Sequence, residues 1–329
     1  MKIGIISFAH MHAQAYAHYL SEHPDVELTA IWDEDVSRGS DMAEKYTCQY
    51  YSDLHVFLQT DIEAVVICSE NVKHKEHIFA AAHEKKHILC EKPIATEIED
   101  AKEIIAVCKE KGVRLQVAYP VRFSPVIQKV KHMIQSNELG EVLAINGTNH
   151  GQMPGGWFID KELSGGGAAI DHIVHLMDII RWMLKDEVST IYAELDTRFH
   201  EVDVEDCGIV TLKLESGVIV SIDPSWSRPN TFPTWGDVTL EIIGAKGNLS
   251  IDVFKQHALL YDDTNKKVQQ LPWSSDMDQG LIHDFISCLK EGSSPSITGE
   301  DGLRTLEVVQ AAYQSADTNQ VVTLNRVSL

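Results

Sequence analysis

A chain of 329 residues, 44% hydrophobic and 23% charged, is long enough for two hydrophobic cores and too apolar to be a disordered polymer. Its 49 acidic against 28 basic residues give a net charge of −21, a surface that repels phosphate backbones and anionic lipid, so neither nucleic acid nor a membrane is expected as a partner. The six cysteines form no Cys-x-x-Cys pair, the N-terminus lacks a signal-peptide core and no apolar run approaches a membrane span; a reducing, cytoplasmic compartment is expected.

Residues 1–118 alternate short β-branched runs with amphipathic segments. Strands are predicted at Lys2–Ser7, Val26–Asp33, Ala64–Cys68, His87–Glu91 and Val113–Ala118, with helices at Ala13–Glu22, Arg38–Tyr46, Val72–Glu84 and Ile98–Lys111. The strands are apolar on both faces, which marks a parallel sheet covered by helices on both sides. The fold class read from this is α/β, an N-terminal doubly wound Rossmann domain over residues 1–118.

Ligands bind such sheets beyond the carboxyl ends of the strands, so the residues after each strand are the cofactor candidates. After the first strand runs Ser7-Phe8-Ala9-His10-Met11-His12, where a dinucleotide fingerprint would carry glycine at positions 7, 9 and 12. After the second comes Asp33, placed either to accept from the adenosine ribose hydroxyls or to be a plain surface carboxylate; as a ribose ligand it favours NAD over NADP, with Arg38 nearby. Ser69, Asn71 and His74 follow Ala64–Cys68, and Asn71 could equally cap the next helix. Glu91-Lys92-Pro93 follows His87–Glu91, and a lysine there must face a cleft and a partner.

The pattern changes near Tyr119. A helix at Ser124–Ser136, a strand at Val142–Asn149 and the turn Ser164-Gly165-Gly166-Gly167 lead into a long helix ending near Leu184. Strands follow at Val188–Arg198, Gly208–Glu215, Val218–Pro224 and Val238–Ile243, then helices at Gly280–Lys290 and Asp301–Ala316. Residues 119–329 therefore read as an α+β domain with a largely antiparallel open sheet, whose uncovered face predicts a homodimer or homotetramer.

The residues Ala64-Val65-Val66-Ile67, His87 to Pro93, Gly140-Glu141-Val142, Glu162 to Ala168, Asp171 to Trp182 and Gly299-Glu300-Asp301-Gly302 together resemble the glucose–fructose oxidoreductase, inositol dehydrogenase and rhizopine-catabolism family over nearly the whole chain. The resemblance implies a nicotinamide cofactor, a sugar, inositol or related polyol as substrate, and a catalytic group of Lys92, Asp171 and His175. Two positions depart from the family pattern: the loop with Ser7, Ala9 and His12, and Ile173, where glycine is common.

Asp171 and His175 are four apart and share one helix face, continued by Asp178. The imidazole suits a base for a hydroxyl proton, Lys92 can stabilise the alkoxide or relay the proton, and Asp171 can bind a second hydroxyl or orient the group. Tyr119, Arg122, Trp157 and His172 are candidate substrate contacts, although Arg122 also suits a structural ion pair and Trp157 and Trp235 could be core anchors. The Gly165–Gly167 turn could aim backbone donors at a hydroxyl. A metal held by Asp171, His172 and His175 with His10 or His12 is not expected, since Lys92 opposes a cation. A non-catalytic NAD sensor and an NAD-recycling lyase or glycosidase are the other functions compatible with these residues.

Overall fold

The computed structural model describes residues 1–255, 257–262, 266–272 and 276–324. Six parallel strands form the first sheet: β1 (Lys2–Ile6), β2 (Glu27–Trp32), β3 (Gln49–Tyr51), β4 (Ala64–Ile67), β5 (His87–Glu91) and β6 (Leu115–Ala118). Their order is β3-β2-β1-β4-β5-β6, the doubly wound arrangement whose direction reverses between β1 and β4. Ile3, Ile5 and Ile6 of β1 and Val65, Val66 and Ile67 of β4 are fully buried, as expected of strands covered on both faces. The covering helices are α1 (Ala13–Glu22), α2 (Val36–Tyr46), α3 (Leu54–Leu58), α4 (His74–His83) and α5 (Ile98–Lys111).

Neither β3 nor α3 was expected. A three-residue edge strand is too short to show a period, but α3 had a legible signal: Asp53 caps it, accepting from Val56 N–H at 3.0 Å. Of the two roles open to Asn71, the helix cap is not made; a 3-10 turn at Asn71–Lys73 precedes α4 and Asn71 donates elsewhere.

After α6 (Pro125–Gln135), β7 (Val142–Gly151) and α7 (Lys161–Ser164), the long helix α8 (Ala168–Leu184) lies under a second sheet. That sheet joins β7 to β8 (Val188–Asp196), β9 (Cys207–Leu214), β10 (Ile219–Ser225), β11 (Gly236–Gly244), β12 (Gly247–Asp252) and the terminal β15 (Val322–Thr323). Its order is β12-β11-β7-β10-β9-β8-β15, and only β7 with β10 is parallel. A separate hairpin, β13 (His257–Asp262) and β14 (Lys267–Pro272), was not expected. The strand predicted to reach Arg198 stops at Asp196 because the buried Asp206 carboxylate takes the amides of Arg198, Phe199 and His200 at 2.7–2.9 Å.

The last helices, α9 (Met277–Glu291) and α10 (Gly299–Thr318), start earlier than periodicity suggested. Asp276 caps α9 by accepting from Asp278 N–H, and Thr298 forms a capping box with Asp301 at the head of α10. They return to the first sheet: α10 packs on α5, α8 and β8, α9 on α1, and Thr298 bridges Gln116 of β6. This return fixes the second sheet and α8 against the carboxyl ends of the first.

Candidate active site

The loop after β1 keeps a glycine turn without glycine. Ser7 has φ of 70°, the left-handed region that favours glycine, and its Oγ accepts from Ala9 N–H at 3.1 Å. Asp33, at the end of β2, is not a surface carboxylate. It is buried and accepts from Phe8 N–H at 2.8 Å and from Arg38 through Nε at 2.8 Å and Nη2 at 2.6 Å. Arg38 Nη2 also reaches Ser7 Oγ at 3.5 Å, so Asp33, Arg38 and the Ser7 turn form one polar cluster. The Ala9 carbonyl accepts from Trp157 Nε1 at 3.1 Å, which closes the second half of the chain over this loop; Met11 is exposed beside it.

Beyond β4, Asn71 Nδ2 donates to the Ser164 carbonyl at 2.8 Å while its Oδ1 is buried with no hydrogen-bond partner among the described residues. His74 spans the gap to β5: Nδ1 lies 2.8 Å from the Pro93 carbonyl and Nε2 3.2 Å from that of Ser69. Ser69 Oγ is 2.9 Å from His77 Nδ1. Ser69 and His74 thus tie strand ends together from beneath the cleft.

At the end of β5, Glu91 and Lys92 point different ways. Glu91 Oε1 lies 3.1 Å from His12 Nδ1 and 3.6 Å from His10 Nδ1. Burial would raise the Glu91 carboxyl, but His10, His12 and Lys92 outweigh it and hold the group ionised. Lys92 Nζ donates to the Asp171 carboxylate through Oδ1 and to the Asp171 carbonyl at 3.2 Å. Trp226 Nε1 donates to Asp171 Oδ2 at 3.2 Å, and His172 Nε2 lies 3.2 Å from the same oxygen. Both carboxylate oxygens are engaged, and Oδ1 holds the Lys92 ammonium in place. Burial opposes its charge, but Lys92 and His172 keep its carboxyl well below the usual range.

His175 lies one turn further along α8, its ring edge-on to Tyr119 with 6.1 Å between centroids. Its Nδ1 is buried and has no hydrogen-bond partner among the described residues. Burial and then Lys92 push its pKa well below 6.5. The ring is neutral at physiological pH and offers a lone pair beside an ammonium and a carboxylate.

Asp178 does not continue this group. It is buried with Arg122, which donates to it through Nε at 2.7 Å and Nη2 at 2.6 Å and also meets Asp301 at 3.1 Å and the Ser296 carbonyl at 2.9 Å. Arg122 is therefore placed as a structural ion pair, not as a substrate contact. Tyr119 turns its hydroxyl to Thr305 Oγ1 at 2.6 Å, leaving only its ring facing His175. The ring of His172 stands edge-on to Trp235, which is 40% exposed at the outer side.

The glycine turn before α8 serves packing. A Cβ on Gly167 would meet the Glu205 carbonyl oxygen at 2.0 Å, and Glu205 Oε1 already accepts from Gly167 and Ala169 N–H at 2.8 and 3.0 Å. The backbone donors expected to face a hydroxyl are taken. Glu205 and Trp226 escaped sequence reasoning because each lies more than 30 residues from its partner. Asp278 escaped likewise; it sits beside His12, and burial raises its pKa to about 6.

Residues 1–119 match the model described as the oxidoreductase family with an NAD-binding Rossmann fold, and residues 127–250 match that family's C-terminal domain. The chain is 28% identical over 309 residues to an uncharacterized oxidoreductase, YrbE, of Bacillus subtilis, covering 90% of this chain and 89% of that protein. It is 27% identical to the myo-inositol 2-dehydrogenase of Thermotoga maritima, with 99% of each chain covered. The crystal structure of GenD2 from gentamicin A biosynthesis, in complex with NAD, superposes with a TM-score of 0.91 at 24% identity, covering 99% of this chain and 97% of that one, and shares the fold. Two domain models in their native order, the first over a strand order that fits a Rossmann fold, show that the chain belongs to the glucose–fructose oxidoreductase, inositol dehydrogenase and rhizopine-catabolism family of NAD-binding oxidoreductases.

Proposed function

We propose that this protein is an NAD-dependent dehydrogenase that transfers a hydride between the nicotinamide and a secondary hydroxyl of a sugar, inositol or related polyol. The observation that carries this reading is the Lys92–Asp171 ion pair, buried beside the neutral His175 at the carboxyl end of β5. Oxidising an alcohol requires removal of one proton and one hydride; bound NAD supplies the hydride acceptor. The neutral imidazole of His175 accepts the hydroxyl proton. The Lys92 ammonium, held in place by Asp171, stabilises the oxygen as negative charge develops. The Thermotoga relative named as a myo-inositol 2-dehydrogenase supports the polyol class.

Ser7, Phe8, Ala9, His10, Met11, His12, Asp33, Ser69, Asn71, His74, Glu91 and Lys92 are proposed to border the cofactor. The Ser7 turn, the strand end at Asp33 and the Asn71 Oδ1, which has no hydrogen-bond partner among the described residues, fit that role. Residues 1–118 form the cofactor unit in this reading and 119–329 the substrate unit. Of the substrate candidates, Trp157 and His172 remain nearest to the loop and the Lys92 pair, respectively.

The open face of the second sheet carries the exposed Ile209 and Ile219, which supports a homodimer or homotetramer. No described helix is long and apolar enough to cross a membrane. Six unpaired cysteines support a cytoplasmic setting. The test is a polyol and sugar panel with NAD, read at the reduced-nicotinamide absorbance band. Steady accumulation supports a dehydrogenase; only a transient, or silence despite binding, sinks it. Sedimentation showing monomer alone at micromolar concentration would refute the oligomer.

A further inference from the structure

The loop between β1 and α1 uses its own amides. Phe8 N–H donates to Asp33, Ala9 N–H to Ser7 Oγ, His10 N–H to the Cys68 carbonyl at 2.9 Å, His12 N–H to His10 Nδ1 at 3.2 Å and Ala13 N–H to the His10 carbonyl at 3.1 Å. A glycine-rich loop owes its grip on a diphosphate to amides left free and to a backbone with no side chain in the way. Here the amides of Phe8, Ala9, His10, His12 and Ala13 are committed, and the third glycine position carries an imidazole.

We propose that the His12 side chain has taken over this task and is the charged N–H donor to the diphosphate of the dinucleotide, an assignment that rests on the dinucleotide reading above. Its Nδ1 is anchored on Glu91 Oε1 at 3.1 Å, and the side chain is 31% exposed, which leaves Nε2 as the ring's second donor. Two protons on one imidazole make it a cation, and a charge-assisted bond to a phosphate oxygen is stronger than a neutral amide contact. Burial works against that charge, but the Glu91 carboxylate outweighs it and raises the His12 pKa. The other groups facing His12 are His10 on the loop, Tyr16 on α1, Lys92 on β5's end, His175 on α8 and Asp278 on α9. Lys92 opposes the imidazolium and Asp278 supports it.

The same atoms suggest a rival. One ligand atom each from His10, His12 and Glu91 lie within 4.8 Å of one another, a span that a divalent cation could bridge. Two facts favour the proton over the metal: the His10 lone pair already accepts from His12 N–H, and Lys92 adds positive charge next to Glu91.

ADP-ribose, which carries the diphosphate without the nicotinamide, is the probe for calorimetry on the untagged full chain. For the parent, affinity should fall about 10-fold or more from about pH 6 to about pH 9, as the imidazolium loses its proton. His12→Gln should bind about 10-fold more weakly at the acid end and show a flatter profile; any slope left near pH 6 belongs to Asp278. The His12 ring resonances should shift on addition of ADP-ribose at neutral pH. Equal affinity and equal pH dependence in parent and His12→Gln would overturn the proposal. So would one equivalent of retained divalent metal whose chelation abolishes ADP-ribose binding, which would establish the cation instead. Failure of ADP-ribose to bind any variant at any pH would remove the dinucleotide reading itself; binding with an unmoved His12 removes only the present proposal.

Discussion

Replacing Lys92 with alanine tests the candidate site at its centre. Lys92 is 4% exposed and its ammonium holds Oδ1 of Asp171, whose carboxylate is itself buried. Truncation leaves that carboxylate with the Trp226 indole and His172 alone. Stranding one member of a buried pair costs about 3–5 kcal/mol. The pH dependence has a definite sign. The Asp171 carboxyl is depressed in the folded parent, so its contribution is present above its ordinary value of 3.8 and lost as pH falls through the lower folded value. In Lys92→Ala that contribution disappears.

Turnover should fall about 10²–10⁴-fold, roughly 3–5 kcal/mol of barrier, while NAD still binds. Lys92→Ala/Asp171→Ala removes the stranded charge, so it should regain part of the stability and none of the activity. Lys92→Ala/His175→Ala should lose in total much less than the product of the two single losses, because the groups act as a unit. Denaturant unfolding measures the first pair of outcomes, and reduced-nicotinamide absorbance on the true substrate the second. Near-full turnover in Lys92→Ala, or parent-like stability in the single variant, would refute the reasoning.

Three other outcomes follow from the same geometry. Because burial and Lys92 lower the His175 pKa, the rate should stay level down through pH 6.5 and fall only well below it; a limb near 6 belongs to Asp278 and should vanish in Asp278→Asn. Asp33→Ala should narrow a preference for NAD over NADP by removing a ribose acceptor and freeing Arg38 for a 2′-phosphate, as read by calorimetry; equal parent affinities would sink the assignment. On the outer face of the second sheet, Asp223 and Asp237 outweigh burial and raise the His150 pKa to about 9. That stabilisation is fully present below 6.5 and is lost as pH rises through about 9, so unfolding curves across this range should show a decline that His150→Gln abolishes.

Much of the fold is legible locally. Continuous apolar runs such as Ala64–Cys68 announce buried parallel strands, and the alternation of strands with amphipathic helices announces the winding. Elements without a period were lost: β3 is too short, and β12 and the β13–β14 hairpin follow a turn with no strong apolar alternation. Ends set by capping shifted by a few residues, since Asp276 and Thr298–Asp301 begin α9 and α10 ahead of their apolar stripes.

The candidate site divides the same way. The Glu91-Lys92-Pro93 segment and the i,i+4 spacing of Asp171 and His175 could be read from the chain alone, because strand ends and helix faces are local geometry. That Lys92 meets Asp171, that Trp226 and Glu205 complete their shells, that Arg122 belongs to Asp178, and that His12 faces Glu91 are pairings between residues 55 to 79 apart or, for Glu205, 36 to 38 apart. Sequence determined which chemical groups stand at the ends of which elements. Only the tertiary structure decided which of them share a buried environment, and in a low-dielectric interior that choice of neighbour sets whether a carboxylate is a ligand, a clamp or half of an ion pair.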